Sequence, residues 1–214
     1  MMDILDNIKI EHIWSNDLFS QKSIALKLGI WNSLSDAEQS YYERITPYEA
    51  RLNGNDFEGE FEEETIYGEI TKEGVFELNK HIKSNGGVFY DIGSGNGKIV
   101  LQMALISNFD RYVGIEIEKI RCLYSIDIKN QIGIEKVNFI NDDILNVDIS
   151  DAGFIFLNDI MFKEDMRNKI FKMIPSDCMF VSFYEFEDCE KLETLELEVE
   201  WMKPKVPFKL YKKK

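Results

Sequence analysis

The run Val88-Phe89-Tyr90-Asp91-Ile92-Gly93-Ser94-Gly95-Asn96-Gly97-Lys98 constrains this chain more than any other. Apolar residues end in an acidic one, three glycines alternate, and an apolar helical pattern opens at Ile99-Val100-Leu101-Gln102-Met103-Ala104-Leu105. A buried strand, a tight turn and a helix start, in that order, mark where open α/β sheets bind their cofactors. Glycine belongs there because the turn takes strained dihedrals and a ligand must approach the backbone closely.

Spacing narrows the cofactor. A nicotinamide fingerprint needs G-x-G-x-x-G, and its third glycine would fall at Lys98. A P-loop needs glycine where Ile92 stands and Ser or Thr where Ile99 stands. The observed D-I-G-S-G-N-G-K instead resembles the S-adenosyl-L-methionine-dependent methyltransferases of the Rossmann-like class. That cofactor carries no phosphate, so the turn need only admit its methionyl and ribose portions.

From Val88 onward strands and helices alternate, the pattern of a parallel sheet covered on both faces. Strands are predicted at 88–92, 111–116, 137–140, 154–157 and 179–183, with helices at 97–107, 119–131 and 164–173. A closing hairpin pairs 195–201 with 206–211. The fold class is α/β: a Rossmann-like, mostly parallel seven-stranded sheet with helices on both faces, preceded by a small helical extension. A helix over 71–83 places Val75, Leu78 and Ile82 on one face. Further upstream, Ser35-Asp36-Ala37-Glu38 reads as a capping box opening a helix through Arg44, ahead of Pro47. Residues 1–64 are expected to form the N-terminal extension, ending in the acidic loop of Glu58, Glu60, Glu62, Glu63 and Glu64. Residues 65–214 are expected to form the methyltransferase domain.

Polar residues close four of these strands: Asp91, Glu116, Asp143 and Asn158. Right-handed crossovers bring such ends to one edge of the sheet, hence to one crevice. There Asp91 can attract the cofactor's ammonium through a charge-assisted contact. Glu116, about twenty residues beyond the glycines, sits where an acidic residue accepts ribose hydroxyls. Asp143 can accept from the adenine amino group, with Ile117 or Ile144 packing on the ring.

Composition excludes several alternatives. A formal net charge of -14 argues against nucleic-acid binding over the whole surface and favours basic partners. The three cysteines lack C-x-x-C spacing and read as reduced thiols, and the two histidines lie far apart. A zinc site or histidine-centred triad is not expected. Neither a signal-peptide pattern nor an apolar run of membrane-spanning length is present. The expectation is a soluble, intracellular protein.

These residues together resemble the disruptor-of-telomeric-silencing (Dot) family, non-SET histone H3 lysine methyltransferases. Its carriers are Tyr67-Gly68-Glu69, Val88 to Gly95 with Val100-Leu101-Gln102, then Gly114-Ile115-Glu116 and Asp143. Leu157-Asn158-Asp159-Ile160-Met161-Phe162, Val199-Glu200-Trp201 and Pro204-Lys205-Val206-Pro207-Phe208 complete it, over about residues 65–212. The resemblance implies a cofactor set of Tyr67, Glu69, Asp91, Gly93, Ser94, Gly95, Gly97, Lys98, Glu116, Ile117, Asp143, Ile144 and Asn158. It implies a transfer set of Tyr67, Asn158 and Phe208, with Tyr67 on a loop folding over the cofactor. Phe162, Phe183, Tyr184, Phe186, Trp201 and Phe208 are the candidates for a channel admitting the substrate lysine. The better-known members carry asparagine at Asp159, glutamine at Lys98 and tyrosine at Phe208. The implied partner is a basic protein, a histone or nucleosome, and the implied place the nucleus. Lys203, Lys205, Lys209, Lys212, Lys213 and Lys214 make a compact basic end able to touch DNA phosphate. Two other readings fit the same residues: methylation of a non-histone basic protein, and a module that binds cofactor without turnover.

Overall fold

The structure is a computed structural model, and the residues it describes are 25–37, 39, 68–82, 86–200 and 205–214. Seven strands make one sheet: β1 (Val88–Ile92), β2 (Arg111–Ile115), β3 (Val137–Ile140), β4 (Ala152–Leu157), β5 (Met179–Ser182), β6 (Cys189–Leu197) and β7 (Val206–Lys213). Their order is β3-β2-β1-β4-β5-β7-β6. β1 to β5 run parallel, and β7 runs antiparallel to both its neighbours. The chain winds outward from β1 through β2 to β3, then returns to lay β4 on the other side of β1. Strand order therefore reverses between β1 and β4, which opens a crevice at their carboxyl ends.

Alternation along the strands builds two cores. Phe89, Phe154, Phe156 and Phe208 point to one face, where α1 (Lys72–His81), α2 (Lys98–Ile106) and α3 (Lys119–Ile132) cover them. Tyr90, Ile155, Leu157 and Tyr211 point to the other, beneath α4 (Glu164–Met173). All five residues of β1 are buried, as a central strand covered on both faces requires. Val75, Leu78 and Ile82 join the first core, as do Ala25 and Trp31 from the N-terminal region. Ser35 accepts from the Gln39 amide at 2.9 Å, in the first turn of the expected helix; residues 40–44 and the acidic loop lie outside the described residues.

The segment ahead of α1 is stapled to the chain following β6. Thr71 caps α1 by accepting from the Gly74 amide at 3.2 Å, and its own amide donates to Glu198 O at 3.0 Å. Ile70 bridges Val199, and Glu200 N–H donates to Glu69 O at 3.1 Å. A Cβ on Gly74 would lie 2.4 Å from the Glu198 carbonyl oxygen, so only glycine lets the helix approach so closely.

Several boundaries shift from the sequence reading, most of them by one or two residues, and two of the differences have a clear physical cause. β6 begins at Cys189 and ends at Leu197, instead of spanning 195–201. Its first half, Glu190 to Thr194, is exposed throughout and polar but for Leu192, so it carries no strand periodicity; it forms because β7 offers a long template. β5 stops at Ser182 because the Phe183 amide turns away to Asp159 at 2.8 Å. Of the basic end, Lys209, Lys212 and Lys213 lie on β7, where Lys212 pairs with Asp177 at 2.8 Å and Lys213 lies 3.2 Å above the Phe171 ring; Lys203 lies outside the described residues. All three cysteines are buried free thiols. Among the described residues no group of three metal-ligating side chains is placed to hold an ion, and no helix is long and apolar enough to cross a membrane.

His81 ties α1 to the edge strand, bonding Glu193 through Nδ1 at 2.8 Å and Glu77 through Nε2 at 3.2 Å. Partial burial disfavours its charge, but the bonds to Glu193 and Glu77 outweigh that and raise its pKa. A raised folded value means the contribution is full below the unfolded pKa of about 6.5 and is lost as pH rises through the folded one. Thermal melting of wild type should therefore drop more steeply than that of His81→Gln as pH climbs past neutrality; parallel curves would contradict this.

Candidate active site

The turn after β1 depends on glycine backbone geometry and on one buried carboxylate. Gly93, Gly95 and Gly97 have φ of 77°, 53° and 75°, the left-handed region. At Gly97 a Cβ would also meet the Phe139 ring at 2.5 Å and Ser125 Oγ at 2.8 Å. Below the turn, Glu116 Oε2 accepts the Gly95 N–H at 2.7 Å and Oε1 accepts the Glu118 N–H at 2.8 Å. The amides of Gly93 and Ser94 both donate to Ile115 O at 2.9 Å. Asn141 Nδ2 donates to the carbonyls of Glu116 and Ile117 at 2.9 Å each. The ends of β1, β2 and β3 are thus stitched into one rim.

Beside the turn lies a small cleft lined by Gly68, Glu69, Asp91, Gly93, Ser94, Lys98, Ile99, Phe156 and Asn158. Asp91 is 1% exposed, and its Oδ2 has no hydrogen-bond partner. Ser94 Oγ and Asn158 Oδ1 are likewise buried without one. Buried polar atoms are nearly always satisfied. Three orphans around one cleft are the signature of a site built for a polar ligand. Glu69 and Lys98 approach to 2.5 Å and form a buried ion pair on the wall. Asn158 Nδ2 makes a long 3.4 Å bond to Gly68 O.

Electrostatics set Asp91 apart. Burial, then the carboxylates of Glu116 and Glu69, hold its pKa well above the usual range. Burial also raises Glu69 and Glu116, but Lys98 opposes it at the first and Arg121 at the second. No cation opposes burial at Asp91. In the free site its ionised form is therefore disfavoured.

Six of the expected cofactor residues meet in this cleft: Glu69, Asp91, Gly93, Ser94, Lys98 and Asn158. Gly95 and Gly97 shape the turn behind it. Glu116 lies under the turn with both oxygens engaged, each keeping a second lone pair. Ile117 is 58% exposed at the end of β2. Asp143 Oδ1 caps a short 3-10 turn over Ile144–Asn146 by accepting the Leu145 amide at 2.9 Å, and Ile144 is buried beneath. Tyr67 and Trp201 lie outside the described residues. Phe208 does not line the cleft: it is fully buried, with its ring centroid 5.9 Å from that of Phe156. Of the channel candidates, Phe162 stands 3.5 Å from where a Gly93 Cβ would be, and Phe183 meets Tyr184 edge-on at 5.1 Å. Phe186 instead stacks on Phe171 at 4.6 Å in the second core, away from the cleft.

Sequence reasoning overlooked Phe156 and Ile99 as walls. Phe156 is two residues before Asn158 on the same strand face, and that period was the available signal. It also overlooked the pairing of Asp159 with Ser182 at 2.6 Å, for which no local signal exists.

A glycine turn after the first strand, an acidic residue after the second and this strand order together define a class I S-adenosyl-L-methionine-dependent methyltransferase. The family described as "Histone methylation protein DOT1" matches residues 41–187. The match takes in more than half of the sequence, and the chain belongs to that family. No curated protein matches it. Among solved structures, an S-adenosyl-L-methionine-dependent methyltransferase from Aquifex aeolicus aligns with TM-score 0.50 at 12% identity, covering 65% of this chain and 88% of that one. That likeness shows the fold. An RNA methyltransferase from Salinibacter ruber, in complex with S-adenosyl-L-homocysteine, aligns with TM-score 0.49 at 22% identity, covering 66% and 88%. A Methanococcus maripaludis protein aligns with TM-score 0.46 at 18% identity over 52% of this chain, which spans 54% of that protein's length.

A group whose folded pKa is raised lends stability below its unfolded value, near 4 for aspartate, and that stability is lost as pH rises through the folded value. Ligand-free Asp91→Asn should therefore melt higher than wild type at neutral pH, with the gap closing toward about pH 4. Equal melting temperatures across that range would show that the Asp91 charge is compensated after all.

Proposed function

We propose that this methyltransferase transfers a methyl group to a lysine of a histone, in the globular core of H3. Support comes first from the cleft, which sets an unpaired carboxylate, Asp91, and an unpaired carbonyl oxygen, on Asn158, around one small volume. One is suited to a cation, the other to an N–H donor. The family description supports the histone, and the chain's net charge of -14 suits a basic protein.

The residues fit the cofactor. Asp91 would take its ammonium, and Glu116 would turn its remaining lone pairs to the ribose while holding the Gly95 amide. Asp143 would accept from the adenine amine, with Ile117 as the exposed apolar platform. When bound, the cofactor supplies an electrophilic methyl group on a sulfonium. No protein nucleophile is needed; positioning carries the rate. Asn158 Oδ1 accepts an N–H of the incoming lysine and so aims its lone pair. Phe156 and Ile99 exclude water and favour the neutral amine. The histone reading places the protein in the nucleus.

Incubating the protein with labelled cofactor and nucleosomes or free histones should label a lysine, and Gly95→Arg or Glu116→Ala should abolish it. Label on other basic proteins but never on histones would overturn the histone assignment and leave the enzyme. Cofactor binding without transfer to any protein would favour a binding module. Affinity for the cofactor should rise with pH above the ordinary carboxylate range as Asp91, its pKa raised by burial, ionises. Asp91→Asn should weaken binding about 10- to 100-fold, the worth of a charged hydrogen bond, and flatten that rise. Calorimetry reads both.

A further inference from the structure

The loop after β4, from Asn158 to Phe162, is held from outside the cleft by a closed set of bonds centred on Asp159. Asp159 is fully buried. Its Oδ2 accepts the Ser182 hydroxyl at 2.6 Å and its Oδ1 accepts the Phe183 amide at 2.8 Å. Its carbonyl accepts the Phe162 amide at 2.9 Å. Ser182 Oγ in turn accepts the Tyr184 amide at 3.0 Å, and the Tyr184 hydroxyl donates to Ile160 O at 3.2 Å. Arg167, on α4, lies 3.6 Å from the Tyr184 ring centroid and donates to Phe162 O. The carbonyls of Asp159, Ile160 and Phe162 are thereby all engaged, and the loop is fixed to the end of β5 and to α4.

None of these side chains lines the cleft, yet the network fixes the two ends of a loop that borders it. Asn158 lines the cleft with an unpaired oxygen, and Phe162 covers the Gly93 turn. We infer that Asp159 is a positioning residue: through Ser182 and Phe183 it presets Asn158 and Phe162 for the acceptor, while the cofactor's polar contacts rest on the β1 and β2 rim. This rests on the proposed transfer to a protein amine. The network also explains why asparagine and aspartate can both serve here. An asparagine Oδ1 would keep the Phe183 amide and its Nδ2 would donate to Ser182, whose hydroxyl would swing to the Tyr184 carbonyl, already 3.3 Å away. Alanine could make neither bond.

The test compares Asp159→Ala, Asp159→Asn and Ser182→Ala in the full chain, with nucleosomes or free histones as acceptor. For Asp159→Ala, kcat should fall about 100-fold, the scale of a misplacement near one ångström. Cofactor Kd by calorimetry should stay within about threefold, because Asp91 and Glu116 are untouched. Asp159→Asn should retain wild-type kcat within the same margin, and Ser182→Ala should fall between. Amide hydrogen exchange supplies a reading independent of acceptor: residues 158–162 should exchange faster in Asp159→Ala and Ser182→Ala, while β1 stays protected. A loss of cofactor affinity parallel to kcat, or unchanged exchange in both variants, would overturn the assignment. If wild type labels no histone while the exchange result holds, the acceptor reading fails and the placement of the loop stands.

Discussion

The site depends on one buried carboxylate. Glu116 ends β2, and its two oxygens hold the Gly95 and Glu118 amides at 2.7 and 2.8 Å. A left-handed glycine turn has amides that no helix or strand can satisfy; without an acceptor beneath, they would be buried at a cost. Glu116 supplies it, and in doing so joins β1 to β2 and fixes where α2 begins. The cleft, the orphaned Asp91 and the Glu69–Lys98 wall all take their positions from that join.

Much of this was legible in the sequence because local patterns carried it. Strand β1, the turn and α2 are contiguous, and an apolar run leading into D-x-G-x-G has few other solutions. Helix α4 and β3 were expected with the bounds they have, since their periodicity is clear and each ends in a turn. The seven-stranded count and its parallel core followed from alternation. The first half of β6 was not legible: Glu190-Lys191-Leu192-Glu193-Thr194 has no strand pattern, and only the neighbouring strand makes it one. The orientation of Glu116 was also out of reach. Its position after β2 is a matter of spacing, but whether it faces the crevice or the turn is decided by backbone amides elsewhere in the chain.

The same division separates the two sides of the cleft. On the cofactor side, residues are fixed by strand ends and glycine geometry, both written locally. On the acceptor side, Asn158 and Phe162 are set by Asp159, Ser182, Tyr184 and Arg167, which meet only when β4, β5 and α4 pack. Aromatic residues late in the chain therefore divide in a way no spacing reveals. Phe162 and Phe183 border the loop, Phe208 backs Phe156 in the core, and Phe186 belongs to the opposite face.

Free, the cleft buries a carboxyl whose charge no cation offsets, and a neutral acceptor must approach a bound cationic group beside it. Both features suit transfer of a methyl group to an amine delivered by a basic protein. The most direct measurement is tandem mass spectrometry of core histones after incubation with the protein and S-adenosyl-L-methionine. The account predicts methyl groups on the side-chain nitrogen of a lysine in the globular part of H3. Methylation confined to nucleic acid or to arginine in the same mixture would contradict it.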